Sequence, residues 1–432
     1  MGLDPRKLRP GEIVRLLNST PAVMPESTAA AIDAGEAHKN RAAKRSRDNS
    51  QSVREIGELP PVADPERKAR GAESFQFFCE TYGWARFTLG WSRDHIRVIE
   101  RFETTVRNGG LIAIAMPRGS GKTTLVEYLV LWATMYGYRK FVVLIGADKD
   151  HAQQMLESLQ AELQSNERMK ADFPEVCHPI EKLDGITQRQ GAQLYRGERT
   201  HLRFAKGWIV LPTIPGSIAS GNIIRVVGIT GSIRGMKFAR PDGTLVRPDF
   251  VVPDDVQTDA TAASPAGRRK IIRSLNGAVL GLAGPGTKIA GVMPCTVIQP
   301  DDAADQVLNR KLFPEWQGER CQALYSFPER MDLWDQYHET RSAHLQAGGD
   351  GSQATEFYRE NYEEMRRGAD VAWPERFNPD ELDGLQNLMN LFYADKFAFF
   401  SEQQNEPLRE GADSGQEVPA AEIIKRVNGF DR

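Results

Sequence analysis

The sequence predicts an α/β fold in which helices cover both faces of a mostly parallel sheet. From about Glu73 to Leu282, short apolar runs alternate with segments of helical period, and a further apolar run follows at 287–293. The apolar runs are too short for helices and end at turn-forming residues, as buried strands do. Because helices separate most of these strands, parallel pairing is expected.

The predicted elements follow in a regular order. Strands are expected at residues 111–116, 140–147, 223–230, 250–253 and 287–293. Residues 201–212 predict a hairpin that turns at Lys206-Gly207. Helices are expected at 123–136, at 149–166 after an Asp148 cap, and from Ser264-Pro265, which supply an N-cap and a proline in the first turn.

The chain is long enough for two or three domains, at 432 residues. We expect a small helical, basic N-terminal arm with a linker at 1–70, a core at 71–300, and a helical C-terminal subdomain at 301–432. Exposed, charged helices are expected at 337–347 and 355–367 within the last of these. The polar segment 36–54 fits either a solvated, disordered arm or a small DNA-contacting helical module.

Composition excludes several classes of protein. The net charge of −3, from 55 basic and 58 acidic residues, argues against a uniformly basic nucleic-acid coat protein. The 4 cysteines form no C-x-x-C pair, which argues against a disulfide framework and a cysteine zinc site and suits a cytoplasmic location. No apolar run approaches the roughly 18 residues of a membrane span, and no signal peptide is recognisable.

A phosphate-binding loop is the strongest motif. It follows a predicted strand and opens a predicted helix, the context that such a loop requires. Lys122 would neutralise phosphates and the Thr123 hydroxyl would ligate Mg²⁺, although Met116 stands where the full pattern has glycine. The candidate nucleotide-binding residues are Pro117, Arg118, Gly119, Ser120, Gly121, Lys122, Thr123 and Thr124.

Two adjacent acids end a later apolar strand. Asp254 is the candidate for holding Mg²⁺, and Asp255 is the candidate for polarising the attacking water. The alternative is an acidic turn that only caps a helix. Asp255 is one methylene shorter than the glutamate usual in this role, so the identity of the base stays open.

Further residues are candidates for phosphate-linked roles. Arg118 could stabilise developing charge in cis, whereas Arg234 could serve this site, a neighbour's site, or only the surface. Thr296 could couple phosphate occupancy to movement, or belong to a plain strand-end turn. The run Arg268-Arg269-Lys270 could grip DNA, or form a solvated helix face.

Together these segments resemble the ATPase part of the large terminase subunit of tailed phages, over about residues 75–410. The resemblance is carried by Pro117–Thr124, Ile233–Gly235, Arg247–Asp255 and Phe399–Pro407. It implies a P-loop NTPase core of the additional-strand type, with an extra strand between the loop strand and the acid strand. It also implies ATP and Mg²⁺ as ligands, and ATP hydrolysis that drives double-stranded DNA into a procapsid.

The resemblance extends to residues and partners. It matches Lys122 and Thr123 to phosphate and Mg²⁺ positions, Arg118 to a loop arginine, and Ser92–His95 loosely to adenine contacts. It implies a portal protein, a small terminase subunit and a homo-oligomeric ring of five. The implied location is the cytoplasm of an infected bacterium, with transient docking at the portal vertex.

One departure from the family concerns DNA cleavage. Family members continue into a ribonuclease-H-type nuclease, whereas only residues 408–432 follow Pro407 here. We therefore expect no nuclease activity, with a separate nuclease chain or a truncated sequence as the two explanations. The competing functions are a helicase or repair-type DNA-dependent ATPase, and a DNA scaffold that binds nucleotide without hydrolysing it.

Overall fold

A computed structural model describes residues 54–231, 233–279 and 281–409. The chain divides into two compact units, residues 1–55 and 56–432, and the second carries everything that follows. Residues 1–53 of the predicted N-terminal arm and linker lie outside the described residues.

The described strands are numbered in chain order. They are β1 Gly110–Ala115, β2 Phe141–Gly146, β3 Leu194–Tyr195, β4 Glu198–Arg199, β5 Arg203–Ala205, β6 Trp208–Val210, β7 Ile223–Gly228, β8 Phe238–Ala239, β9 Leu245–Val246, β10 Phe250–Pro253, β11 Ala290–Cys295, β12 Glu319–Arg320, β13 Leu324–Ser326 and β14 Asp370–Val371.

The described α-helices are numbered in the same way. They are α1 Pro65–Glu73, α2 Phe75–Tyr82, α3 Arg93–Asn108, α4 Lys122–Met135, α5 Lys149–Ser165, α6 Glu167–Asp172, α7 Pro174–Glu181, α8 Asp259–Ala263, α9 Pro265–Ser274, α10 Ala303–Leu308, α11 Met331–Gln346, α12 Ser352–Glu360, α13 Tyr362–Arg366, α14 Gly384–Ala394 and α15 Lys396–Ala398. Short 3₁₀ and π segments lie at Thr187–Ala192, Leu275–Val279, Pro314–Trp316 and Phe399–Gln403.

An eight-stranded sheet forms the centre of the fold, in the order β12-β1-β11-β10-β2-β7-β6-β5. Neighbours from β12 to β7 pair in parallel, and the β5–β6 hairpin adds antiparallel strands at one edge. The predicted α/β class with a mostly parallel sheet is therefore confirmed, as is the hairpin. One strand, β11, separates β1 from β10. The edge strand β12 comes from beyond residue 300, where the core was expected to end.

Helices cover both faces of this sheet. The larger hydrophobic cluster buries α2, α4 and α5 against one face, with Trp132 fully buried. A second cluster on the other face packs α9 and α10 around Trp316. All six residues of β2 are buried, because a strand covered on both faces has no solvent side. This explains why β2 is a continuous apolar run in the sequence.

The C-terminal region is helical, as expected, but its helices are not simply exposed. A third cluster centres on Trp334 and Tyr337 of α11 and Tyr358 of α12, which are all fully buried. The helix expected at 355–367 is two helices, α12 and α13, broken at Asn361. The buried apolar face of α11 was not recognised from composition, because charged residues lie around its aromatic positions. None of the described helices is long and apolar enough to cross a membrane.

Candidate nucleotide-binding site

The predicted phosphate loop connects β1 to α4 at the carboxyl edge of the sheet. Gly119 and Gly121 have left-handed backbones, with φ of +75° and +78°, which a glycine adopts without strain. Gly121 is the N-cap of α4 and provides no side chain to cap the helix. A Cβ at Gly121 would meet nothing within 4 Å. The space beside Gly121 is therefore open, and the first amides of this 14-residue helix have no capping side chain, which favours an anion.

Asp254 lies at the end of β10 and meets the loop. Asp254 is only 4% exposed, and its Oδ1 atom has no hydrogen-bond partner among the described residues. Burial raises the pKa of Asp254 to about 7, and the charge of Asp255 acts in the same direction. The Lys122 ammonium and a hydrogen bond from Thr123 oppose this rise in pKa. The structure thus brings together the three side chains predicted to hold phosphate and Mg²⁺.

The donor set at Asp254 suits Mg²⁺. A carboxylate oxygen without a partner and a hydroxyl oxygen are hard ligands, and Mg²⁺ sites typically combine one or two carboxylates with phosphates and water. Within the described ranges, no group of three or more His, Cys, Asp or Glu could hold a metal. The remaining ligands would therefore come from phosphate oxygens and water.

Asp255 has an unusual backbone, with φ of +37° at a non-glycine residue. Burial, and next the charge of Asp255, raise the pKa of Cys295 at the end of β11, so Asp255 lies near that strand end. Thr296 follows Cys295 directly, one residue beyond a strand that runs two residues further than predicted. Gln257 Nε2 donates to the Thr296 carbonyl oxygen at 3.3 Å. This contact links the acid loop to Thr296 through its backbone.

Glu127 is a further carboxylate near the acid pair. It lies one turn along α4 from Thr123, and its charge contributes to the raised pKa of Asp254. Burial raises the pKa of Glu127 itself to about 6, while a hydrogen bond from Ser158 opposes this. Its position four residues after the Mg²⁺-type threonine could have indicated it from sequence, through helical spacing.

Arg118 contacts the C-terminal region of the fold. Its backbone N–H donates to the Glu402 carbonyl oxygen at 2.8 Å, and its guanidinium pairs with the Glu402 carboxylate. The Arg118 side chain is 69% exposed. The arginine predicted to stabilise charge in cis is thus held at the mouth of the loop by an acid.

Buried amide side chains place Glu402. Gln404 accepts from the Leu324 N–H at 3.0 Å and donates to the Leu324 carbonyl oxygen at 2.6 Å. Asn405 Nδ2 donates to the Cys321 carbonyl oxygen at 2.9 Å. Both amides are completely buried. The polar segment at the end of the Phe399–Pro407 match is therefore a fixed connection between the C-terminal region and the loop.

Arg376 was missed by sequence reasoning. A Cβ added to Gly119 would lie 2.5 Å from Arg376 Nη2, so this guanidinium rests on the phosphate loop. Burial lowers the pKa of Arg376, with Glu381 opposing. Ser120 Oγ, which lines the same cleft, is buried and has no partner among the described residues. No local motif marks Arg376, because the contact exists only after the C-terminal region has folded back.

The start of α3 closes the other side of this cleft. Ser92 caps the helix, and His95 Nε2 donates to the Ser120 carbonyl oxygen at 2.8 Å. Trp373 packs edge-on against His95, with ring centroids 4.7 Å apart. The segment predicted to contact adenine thus lies directly beside the phosphate loop.

Arg234 lies in a different part of the carboxyl edge. The loop that carries it follows β7, and four strand spacings of about 4.8 Å separate β7 from β1, or roughly 19 Å. Arg234 lines a cleft with residues of α9 instead of the phosphate loop. The structure therefore does not bring it to the loop of its own chain.

No protein-family model matches the chain, and comparison with curated proteins also finds no match.

Proposed function

We propose that the chain is a Mg²⁺-dependent ATPase that acts as a motor on double-stranded DNA, the ATPase part of a terminase large subunit. The observation that carries the ATPase proposal is the convergence of Lys122, Thr123 and the buried, partnerless Oδ1 of Asp254. A buried carboxylate oxygen without a partner is costly in the folded state, so it implies a ligand that satisfies it.

Each residue then has a defined task. The amides at the start of α4 and the Lys122 ammonium bind the phosphates, while Thr123 and Asp254 would hold Mg²⁺, which supplies charge neutralisation. Asp255 lies near the carboxyl end of β11 and accepts the proton of the attacking water. The Arg118 guanidinium at the mouth of the loop and the Arg376 guanidinium that rests on the loop would neutralise charge on the terminal phosphate.

Strand order supports the DNA-motor part of the proposal. The loop strand β1 and the acid strand β10 are separated by β11, which is the additional-strand arrangement implied by the resemblance. The polar segment at Phe399–Pro407 contacts the loop through Glu402. Movement of the C-terminal region with nucleotide state would convert hydrolysis into displacement of DNA.

Steady-state ATP hydrolysis, with and without duplex DNA, tests the proposal. We expect Lys122→Ala to lower kcat/KM by about 10²- to 10³-fold, because a charged phosphate contact is lost. Lys149→Ala is the matched control, since Lys149 is also the first residue of a helix that follows a parallel strand. Equal rates for Lys122→Ala and the parent would refute the site.

The competing functions give different results in companion assays. A motor on duplex DNA should displace a triplex-forming strand from a blunt duplex in an ATP-dependent way. Strand separation on forked DNA without triplex displacement would favour a helicase. Binding of Mg²⁺-ATP without any turnover would favour the scaffold.

The identity of the base can be tested by paired substitution. We expect Asp255→Asn to lower kcat by about 10²- to 10⁴-fold with little change in ATP affinity, the range for loss of a general base. The kcat of Glu127→Gln should stay within about tenfold of the parent value, because Ser158 Oγ donates to the Glu127 carboxylate at 2.8 Å and occupies it. The reverse ranking would assign the base to Glu127. Single-turnover hydrolysis together with nucleotide binding measures both quantities.

A further inference from the structure

A second cleft opens at the carboxyl edge of the sheet, away from the phosphate loop. It has a volume of about 590 Å³ and lies between the loop after β7 and helix α9. Its charged lining consists of Arg234, Arg269, Lys270 and Arg273. No carboxylate and no aromatic ring is among the described residues that line it. The cleft is therefore a concentrated site of positive charge.

These four cations have no counter-ions among the described residues. In the part of the chain that the structure describes, none of them takes part in an ion pair or a side-chain hydrogen bond. Their neighbour Arg268 differs, because its guanidinium donates to the Asp301 carbonyl oxygen at 2.9 Å. Like charges at positions i and i+4, such as Arg269 and Arg273, destabilise a helix. The arrangement weakens α9, which points to a ligand that compensates for it.

The cations are spaced along the cleft rather than gathered at one point. Arg269 and Arg273 are separated by one helical turn, a rise of about 6 Å. Duplex DNA presents one phosphate per roughly 3.4 Å of axis on each strand, so a rise of about 6 Å spans nearly two phosphate steps of one strand. Proteins that bind single strands usually stack bases on aromatic side chains, which this lining does not offer. The lining chemistry thus suits a duplex backbone.

We propose that this cleft binds the phosphodiester backbone of double-stranded DNA, without reading its sequence. The choice of DNA rests on the proposed function, whereas the polyanion site rests on the unpaired cations. Both walls of the cleft begin near the acid pair. Helix α9 follows β10 and Asp254, and β7 is separated from β10 only by β2. A shift of the acid loop would therefore be transmitted to the residues that hold DNA.

Equilibrium binding of a 30-bp duplex over a series of salt concentrations, without nucleotide, tests the assignment. For Arg269→Gln/Arg273→Gln we expect roughly tenfold weaker duplex binding. The plot of log K against log salt should also become less steep by about 1.8, since two phosphate contacts are lost. Arg269→Lys/Arg273→Lys should keep the slope. Arg359→Gln/Arg367→Gln, which removes two exposed arginines elsewhere, should also keep it.

The outcome is independent of whether the chain hydrolyses ATP. An unchanged slope in the glutamine double variant, with native circular dichroism, would overturn the proposal even if the parent is an ATPase. Loss of inorganic phosphate or ATP binding with unchanged duplex binding would also overturn it. A chain without ATPase activity whose slope still falls by about 1.8 would retain this site while losing the proposed motor function.

Discussion

The phosphate loop lies between two walls of different origin. The core wall consists of Lys122, Thr123 and Asp254, all of which follow strands of the central sheet. The C-terminal wall consists of Arg376 and Glu402, which come from the region beyond the sheet. In the core wall Asp254 is buried and Lys122 and Thr123 are half-buried, and all three follow parallel strands, whereas the C-terminal wall ends in a partly exposed ion pair. This contrast suggests a division of tasks at the proposed nucleotide site: the core wall binds the phosphates, and the C-terminal wall moves to release them.

The cleft between α3 and the C-terminal wall is narrow. The space that the centres of water molecules can occupy in it is about 30 Å³, room for one or two water molecules. A purine needs far more space, so nucleotide binding requires one wall to shift. We expect the side chains of the C-terminal wall to move, because the Arg118–Glu402 ion pair is partly exposed and such pairs contribute only about 0–1 kcal/mol, whereas the buried amides of Gln404 and Asn405 keep the backbone anchored.

Removing the charge of the core wall should have the largest effect. We expect Asp254→Asn to lower kcat by about 10³-fold, because Mg²⁺ loses its carboxylate ligand. The same change should raise the unfolding free energy of the ligand-free protein by about 1–3 kcal/mol, because a buried charge without a full set of partners is removed. ATP hydrolysis and guanidinium unfolding measure the two effects.

The exposed Asp259→Asn serves as the control for both measurements. It lies in the first turn of α8 and should change neither activity nor stability strongly. A variant at Asp254 that is both active and destabilised would show that this acid has a structural role only.

The core wall could be predicted from sequence because its parts are local. The strands β1, β2, β7 and β10 are apolar runs, and the residues of the core wall lie in the segments that follow β1 and β10. The end of β11 was placed too early, because a proline usually ends a strand, yet Pro294 continues it. Beyond Val251, β10 no longer pairs with β11, so a missing N–H at Pro294 breaks no bond to β10.

The C-terminal wall could not be predicted, because its contacts join distant segments. The segment containing Gln404 and Asn405 was recognised, but nothing in it shows that the amides bind the backbone at Leu324 and Cys321. Arg376 likewise carries no motif. Its contact with Gly119 depends on the packing of a whole region. Arg234 is a different case: the sequence left open whether it serves this site, a neighbour's site or only the surface, because without a strand order its distance from β1 was unknown.

An intermediate loss of ATP affinity is expected for Arg376→Gln. A hydrogen bond from a charged group contributes about 1.5–3 kcal/mol, so ATP affinity should fall by roughly 10- to 150-fold. AMP affinity should change much less, because the guanidinium lies over the phosphate loop. Calorimetric titration with both nucleotides tests this, with the exposed Arg367→Gln as control. Equal losses for ATP and AMP would place Arg376 at the base instead of the phosphates.

Two glycine variants sharpen the same comparison. Gly119→Ala and Gly121→Ala both strain a left-handed backbone, but only the first would collide with Arg376. If Arg376 binds phosphate, Gly119→Ala should lower ATP affinity further than Gly121→Ala, and Arg376→Gln should remove that difference. A difference that persists in the Arg376→Gln background would assign it to the backbone.

The smallest effect on ATP binding is expected for Glu402, at the tip of the C-terminal wall. Its sign shows whether the Arg118–Glu402 pair opposes or supports nucleotide binding. Glu402 competes with phosphate for the Arg118 guanidinium, so Glu402→Gln should tighten ATP binding by up to about fivefold, the range for an exposed ion pair. Glu356→Gln removes a comparable exposed acid, paired with Arg359, and should leave ATP binding unchanged. Weaker binding of ATP by Glu402→Gln would mean that the pair closes the wall over nucleotide. In that case the Arg118–Glu402 contact would belong to the closed state, and the C-terminal wall would open only after hydrolysis.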